Sequence, residues 1–204
     1  MQRAGPIGVI LAGGQSRRMG GGDKGLLSLD GHSILHHVIA RLSPQVQRMA
    51  INANGDATRF APFNLPVLPD PVPGLPGPLA GVLAAMDWAA GLGAATVITV
   101  AADTPFFPTD LVTRLQAAGG SAGFSLAATG KDTAPDWHPV FGLWPVALRH
   151  ILRQDLLAGQ RKVNTWAVQN GARPALFAGT NPFFNINTPE DLAIARARIA
   201  RHEV

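Results

Sequence analysis

Residues 8–25 read GVILAGGQSRRMGGGDKG and combine two features that decide the fold. The first five residues, 8–12, form an uninterrupted apolar run, which is typical of a strand that is buried on both faces. Six of the chain's 23 glycines then fall within residues 13–25. Glycine lets backbone N–H groups approach an anion closely, and Arg18 and Lys24 add positive charge. The segment therefore predicts a polyphosphate site at the end of the first strand.

This loop matches neither of the common glycine-rich phosphate motifs. A P-loop would place Gly-Lys-Ser/Thr at the start of a helix, whereas Asp23 precedes Lys24 here. A dinucleotide fingerprint would need its spaced glycines directly after the strand and an acidic residue for the ribose. A dehydrogenase is therefore not favoured. The remaining structural alternative is a flexible surface turn, and the position of a rare lysine just after the first buried strand argues against it.

The rest of the chain alternates apolar runs of strand length with longer segments of helical period. This pattern is typical of an α/β domain with a mostly parallel sheet covered by helices on both faces. Ser33 and Thr188 are expected to cap the first and last helices, and Pro145 is expected at the first position of an intermediate one. Without repeats or a linker, the chain is expected to form a single domain over residues 1–204. Strands are predicted at residues 8–12, 49–52, 66–68, 96–101, 124–128, 138–144 and 183–186, and further helices at about 33–42, 79–91, 110–118 and 163–170.

Composition excludes several classes of protein. The 204 residues include no cysteine, so disulfides, thiolate zinc sites and thiol nucleophiles are absent from the sequence. The 17 basic and 13 acidic side chains give a net charge of +4, but the basic residues form no stripe of the kind that binds nucleic acid. No apolar run is long enough to span a bilayer, so no membrane association is expected and we expect a cytoplasmic protein.

Asp103 is the acidic residue that is best placed for chemistry. It follows the predicted strand 96–101 in the sequence Asp103-Thr104-Pro105, where a site at the carboxyl edge of a sheet would lie. Phosphoryl transfer commonly uses Mg²⁺ held by one or two carboxylates, and the chain has only two glutamates, both near its C-terminus. Judged by its sequence context alone, Asp103 is equally well explained as a turn-forming or helix-capping residue.

The loop resembles that of nucleotidyltransferases and, more narrowly, that of the molybdenum cofactor guanylyltransferase family. Residues 18–27, RMGGGDKGLL, match the pattern R-M-G-G-x-D-K-x-L-L at every position. The resemblance continues in the same order along the chain, through the segments Asn52-Ala53-Asn54, residues 76–81, residues 103–105 and residues 185–192. It implies a three-layer, Rossmann-like α/β domain of the nucleotidyltransferase type.

The resemblance also implies a reaction. It is the transfer of GMP from GTP to the terminal phosphate of molybdopterin, with release of pyrophosphate and formation of molybdopterin guanine dinucleotide. GTP and molybdopterin are then the small-molecule partners, and Mg²⁺ is the cofactor. Brief contacts with proteins that make the molybdenum cofactor, and with enzymes that receive it, are a further expectation.

The resemblance assigns roles to individual residues. Arg18, Lys24 and Asp103 are implied to be catalytic, with Asp103 also the metal ligand. Asn185 and Asn187 are implied to face the pterin, although Asn187 is equally well explained as a structural residue before the Thr188 cap. The nucleotide is implied to contact the backbone of Leu11, Ala12 and Gly13 and the side chains of Lys24, Asn52, Asp70 and Asp103. It is also implied to contact Gly81, in the segment 76–81, which would lie near the guanine.

Some of these residues also have plain structural interpretations. Asn52 can cap a turn at a strand end, and Asp70, between two prolines, can form one. The segment 76–81 can be a rigid entry to the next helix. Rival functions are a molybdopterin cytidylyltransferase, a sugar-phosphate nucleotidyltransferase and, in a different class, a nucleotide-binding module without activity.

Overall fold

The computed structural model describes residues 5–13, 23–72, 74 and 77–201. None of the helices within these ranges is long and apolar enough to cross a membrane. Short 3₁₀ turns connect several of the elements, at Lys24–Leu26, Ser43–Gln45, Ala57–Phe63, Gly120–Ala122 and Val146–Leu148. The strands are β1 (Ile7–Leu11), β2 (Ser28–Leu29), β3 (His32–Ser33), β4 (Arg48–Asn52), β5 (Val67–Leu68), β6 (Thr96–Ala101), β7 (Ser125–Lys131), β8 (Ala134–Pro145) and β9 (Arg173–Leu176). The helices are α1 (Ile34–Leu42), α2 (Pro78–Gly91), α3 (Leu111–Gly119), α4 (Arg149–Leu157), α5 (Val163–Gln169) and α6 (Pro189–Ala200).

Seven strands form one sheet in the order β5-β4-β1-β6-β8-β7-β9, and β2 pairs with β3 in a separate hairpin. β1 lies between β4 and β6 and runs parallel to both, and β5 continues the parallel set beyond β4. β8 runs antiparallel to both of its neighbours, while β9 is parallel to β7. The predicted α/β fold with a mostly parallel sheet is confirmed.

Two buried clusters pack on opposite faces of the sheet and make three layers. Alternate residues of the central strand point to opposite faces, as strand geometry requires: Ile10 belongs to one cluster and Val9 to the other. Helices α1 and α3 cover the first face, and α1 does so through a stripe of apolar residues that includes Leu35. Helices α2, α4 and α5 cover the second face, where Trp144 and Trp166 are buried.

The predicted caps of α1 and α6 are confirmed. Ser33 Oγ accepts a hydrogen bond from the backbone N–H of His36 at 3.1 Å and begins α1. Thr188 and Asp191 form a reciprocal capping box at the start of α6, with Pro189 in its first turn. The expectation for Pro145 is wrong: this proline ends β8 and precedes a 3₁₀ turn, so α4 begins only at Arg149.

The predicted strand at residues 183–186 is also absent from the sheet. Its backbone forms a single bond to the turn after β6, from the N–H of Ile186 to the C=O of Asp103 at 2.9 Å, rather than a ladder. Phe183 belongs to the first cluster on the sheet, whereas Phe184 and Ile186 pack into a third apolar cluster beneath α6. The apolar pattern that predicted a strand therefore reflects packing in two different environments.

Candidate active site

A cavity of about 810 Å³ opens where the parallel strands β1, β4, β5 and β6 end. The carboxyl edge of a parallel sheet is the usual place for a ligand in this architecture. One part of the lining follows these strand ends, and the opposite part comes from β8 and the segment after β9. The lining residues are Leu11, Ala12, Gly13, Lys24, Gly25, Asn52, Asn54, Asp70, Gly77, Pro78, Ala101, Ala102, Asp103, Trp137, His138, Pro139, Val140, Phe141, Phe183 and Asn185.

The strand end of β1 forms the floor of this cavity. The carbonyl of Leu11 accepts a hydrogen bond from Ala102 N–H at 3.1 Å, and Ala12 N–H donates to the carbonyl of Asn52 at 2.8 Å. These groups therefore extend the sheet by one residue beyond β1. Gly13 comes next, and a Cβ built on it would meet no atom of the described residues within 4 Å. This glycine therefore offers open backbone to a ligand.

Lys24 reaches the cavity from a 3₁₀ turn at the end of the glycine-rich loop. Its Nζ donates a hydrogen bond to Oδ1 of Asn187 at 2.6 Å. Asn187 lies just before α6, so this contact ties the loop to the last helix. Arg18, the other predicted cation, lies outside the described residues.

Asp103 lies two residues beyond β6 and is partly buried in the cavity wall. Burial raises the pKa of its carboxyl, while the positive charge of Lys24 and a hydrogen bond from Thr104 oppose this rise. Thr104 Oγ1 lies 3.2 Å from Asp103 Oδ1 and also donates to Oδ1 of Asn185. Asp103, Lys24 and Asn185 are thus brought together as a charged and polar centre in the middle of the cavity.

A second polar group surrounds Asp70 at the ends of β4 and β5. Both carboxylate oxygens of Asp70 accept amide hydrogen bonds: Oδ1 from Asn52 Nδ2 at 2.9 Å and Oδ2 from Asn54 Nδ2 at 2.7 Å. The Asn52 amide also donates to the carbonyl of Leu68, and Asn54 Oδ1 accepts from the Asp70 N–H at 2.8 Å. Asn52 is 3% exposed, so its orientation is fixed by burial as well as by bonding. These contacts fix the Asp70 carboxylate against the cavity.

Arg59 supports this arrangement and was not identified from the sequence. It lies in the 3₁₀ turn Ala57–Phe63, where its Nε donates to Asp23 Oδ2 and its Nη2 donates to the carbonyl of Asn54 at 2.7 Å. Arg59 therefore connects the residue before Lys24 to the Asp70 group. Arg59 and Asp23 are 36 positions apart, and no local pattern signals the pair.

Gly81 does not line the cavity. It is buried in α2, where a Cβ would overlap Oδ1 of Asn52 and lie 3.2 Å from Leu11 Cδ2. The absence of a side chain therefore lets α2 pack closely against Asn52. Gly77 and Pro78, at the start of the same helix, are the members of the predicted segment 76–81 that do line the cavity, while Pro76 lies outside the described residues.

The opposite wall is largely aromatic, and its tryptophan and phenylalanine residues were not identified from the sequence. Trp137, Phe141 and Phe183 line it, together with His138, whose ring centroid lies 4.3 Å from that of Phe183. Burial lowers the pKa of His138, and the nearby Asp136 opposes this only in part. The run of apolar residues after His138 was a sign of this wall in the sequence, but such a run is equally typical of an ordinary core strand.

Comparisons with known proteins agree with this geometry. Residues 8–172 match the family model of the MobA-like NTP transferase domain. A protein from Mesorhizobium japonicum named molybdenum cofactor guanylyltransferase is 48% identical to this chain, and the match covers 92% of this chain and 93% of that protein. A protein of the same name from a Bradyrhizobium species is also 48% identical, and the match covers 96% of this chain and 93% of that protein. A crystal structure of molybdopterin-guanine dinucleotide biosynthesis protein A from Archaeoglobus fulgidus superposes with a TM-score of 0.75 at 22% identity, covering 96% of this chain and 99% of that one. The last comparison supports the fold.

Proposed function

This chain belongs to the MobA-like NTP transferase family, and we propose that it is a molybdenum cofactor guanylyltransferase. It transfers GMP from GTP to the terminal phosphate of molybdopterin and releases pyrophosphate. The observation that carries the proposal is the placement of Lys24 and Asp103 in one cavity, between a polar half around Asp70 and an aromatic half around His138. Two unlike halves on either side of a charged centre suit a reaction that joins two unlike substrates.

The protein contributes to this reaction mainly by positioning the two substrates and by stabilising negative charge on the phosphates. A phosphate oxygen of molybdopterin forms a bond to the α-phosphorus of GTP, and the bond between that phosphorus and the bridging oxygen to the β-phosphate breaks. Because the attacking phosphate is already ionised at neutral pH, no general base is needed. Lys24 binds the negative charge that builds up on the departing pyrophosphate, as positioned cations do in phosphoryl transfer. Arg18 is proposed to act with it.

Mg²⁺ is part of the proposal, with Asp103 as its protein ligand. The donor set fits: Mg²⁺ in nucleotide sites is commonly held by one or two carboxylates together with phosphate oxygens, and Asp103 places one carboxylate in the cavity. Within the described residues no group of three metal-binding side chains exists, so substrate oxygens and water would complete the coordination. When bound, the ion would neutralise charge on the phosphate oxygens.

The nucleoside of GTP is proposed to bind in the half that contains Asp70. Its carboxylate, oriented by Asn52 and Asn54, is an acceptor for donor groups of the nucleoside, and Leu11, Ala12 and Gly13 supply the adjoining backbone. The contribution of Gly81 would then be indirect, through its contact with Asn52. Selection of guanine over adenine follows from buried polar groups that the wrong base would leave unpaired.

The test is to incubate the protein with molybdopterin, Mg²⁺ and each of GTP, CTP, UTP and ATP, and to measure pyrophosphate and the dinucleotide product by mass. We expect product with GTP and little with the other three nucleotides. Preferential use of CTP would favour a cytidylyltransferase instead, and equal use of CTP and GTP would contradict selection of guanine. Binding of GTP without product would indicate the inactive nucleotide-binding module. The Asp103→Asn variant is the matched control, because it keeps the size of the side chain and removes its charge.

A further inference from the structure

Strands β7 and β8 pair residue by residue except at one place beside the cavity. Leu126 pairs with Gly142, but the next residue of β7, Ala127, pairs with His138. Residues 139–141 are therefore extra residues that bulge out of the β7–β8 ladder, and all three line the cavity. A bulge next to an active site redirects the side chains around it. Of the aromatic wall, Phe141 lies within the bulge and His138 lies at its edge, where pairing with β7 resumes.

Buried hydrogen bonds hold the bulge in one conformation. Thr99 Oγ1 in β6 donates to the carbonyl of Val140 at 2.6 Å, and Trp144 Nε1 donates to the same hydroxyl at 2.7 Å. Thr99 and Trp144 are fully buried. Since Pro139 has no N–H, it leaves no unpaired donor where the ladder is interrupted. The bulge is thus a fixed feature of the fold.

The bulge presents His138 to the cavity on a rigid support. One face of its ring packs on Phe183, with an angle of 31° between the ring planes. Phe183 is itself held by Phe141 and Phe177, at centroid distances of 4.8 and 5.3 Å. The Nε2 atom of His138 lies 3.1 Å from Thr129 Oγ1, which fixes the rotation of the ring. No bond to Nδ1 is found among the residues that the structure describes.

We infer that His138 is an acceptor-binding residue, which contacts the pterin rings of molybdopterin; this inference rests on the proposed function. The pterin is a flat heteroaromatic group with nitrogen and carbonyl atoms along its edge. A partly buried imidazole supported by Phe183 can contact such a group through its ring and through Nδ1. In the strand order, Asp70 follows β5 and His138 lies in β8, on opposite sides of β6, which leads to Asp103. With the nucleotide on the Asp70 side, the His138 wall is left for the second substrate.

The test compares His138→Ala and His138→Phe with His150→Ala, which removes an exposed histidine of α4 outside the cavity. His138→Phe keeps an aromatic ring on Phe183 and guards against loss of folding in the alanine variant. Molybdopterin binding is measured directly by quenching of tryptophan fluorescence, and GTP binding is measured by calorimetry. We expect His138→Ala to bind molybdopterin at least about tenfold more weakly, and His138→Phe to bind more weakly than the wild type by a smaller factor, because it keeps the ring contact but lacks Nδ1. Their affinity for GTP should stay within about twofold of the wild type, and His150→Ala should match the wild type in both measurements.

Two results overturn the inference: a folded His138 variant with wild-type affinity for molybdopterin, or one that loses affinity for GTP and for molybdopterin equally. Failure of the proposed function has a different signature. In that case the wild type makes no dinucleotide product, yet the direct binding measurements still show whether His138 contributes to the affinity for molybdopterin. A wild type that does not bind molybdopterin at all contradicts the inference itself.

Discussion

Lys24 and Asn187 are hydrogen-bonded at 2.6 Å although 163 positions separate them in the sequence. Asn187 belongs to the segment 183–187, whose alternate side chains Phe183, Asn185 and Asn187 contact three different parts of the site. Phe183 supports His138, Asn185 bonds Thr104 beside Asp103, and Asn187 bonds Lys24. This single extended segment therefore aligns the aromatic wall, the carboxylate and the cation relative to one another.

Replacing Asn187 by leucine should lower kcat/KM for GTP by about 10- to 100-fold, because a hydrogen bond to a charged group contributes about 1.5–3 kcal/mol. Lys24→Ala should lower GTP affinity and turnover by a similar factor and leave the fold intact. If Asn187 acts by positioning Lys24, the double variant should be scarcely worse than either single one. Steady-state kinetics of the three variants measure this coupling, and additive losses would contradict it.

At pH 7 in buffer without Mg²⁺, the Asp103→Asn variant should melt at a higher temperature than the wild type. In the Mg²⁺-dependent activity assay, its turnover should fall more than about a hundredfold. Burial raises the pKa of Asp103, so between the unfolded and folded pKa values the folded protein binds more protons. The free energy of unfolding therefore decreases as pH rises through this range, and the ionised carboxylate remains destabilising above it. Asparagine removes that effect.

The same comparison made at decreasing pH provides the control for Asp103. As the wild-type carboxyl becomes protonated, the difference in melting temperature between the two proteins should shrink. A variant that melts below the wild type at pH 7 would show that attraction to Lys24 outweighs the desolvation of Asp103.

Gly81→Ala should destabilise the fold by about 1–2 kcal/mol and weaken GTP binding, because the new Cβ displaces Asn52 and breaks its bond to Asp70. Gly91→Ala is the matched control, since Gly91 lies in the same helix and a Cβ there meets no atom within 4 Å in the part of the chain that the structure describes. This control should be neutral or stabilising by up to about 1 kcal/mol. Urea unfolding and GTP titration of both variants are the measurements. If the two variants have the same stability and the same affinity for GTP, the proposed packing role of Gly81 is wrong.

Thr99→Val should lower the free energy of unfolding by about 3 kcal/mol, since the indole N–H of Trp144 and the carbonyl of Val140 would both lose a buried partner. Thr99→Ser keeps the hydroxyl and loses one methyl group, so about 1 kcal/mol is expected there. Chemical denaturation distinguishes the two substitutions. Similar losses in both variants would mean that packing of the methyl group, rather than the hydrogen bonds, stabilises the bulge.

The parallel part of the sheet could be predicted from the sequence because each strand is a short apolar run between polar turns. The positions of Lys24, Asp70 and Asp103 could be expected for the same reason, since carboxyl ends of parallel strands meet at one edge. The direction of β8 could not be predicted. Its apolar residues look the same in either orientation, and only pairing with β6 and β7 shows that it runs antiparallel.

Contacts between distant segments account for most of what the sequence did not reveal. The pair Arg59–Asp23, the aromatic wall and the packing role of Gly81 depend on which segments meet in three dimensions. The segment 183–187 is an intermediate case. Its apolar residues correctly indicated a packed segment, but nothing in the residues themselves distinguishes pairing in a sheet from crossing an active site.

The two halves of the cavity come from two separate stretches of chain, residues 11–103 and residues 137–185. If the nucleoside and the acceptor bind in these two halves as proposed, substrate choice in this molecule is modular. Substitutions in the later stretch can reshape the surface offered to a new acceptor while the nucleotide side keeps its hydrogen bonds, provided that Asn185 and Asn187 still hold Thr104 and Lys24. A library confined to β8 and its bulge is consequently a rational starting point for redirecting the enzyme to other phosphorylated acceptors.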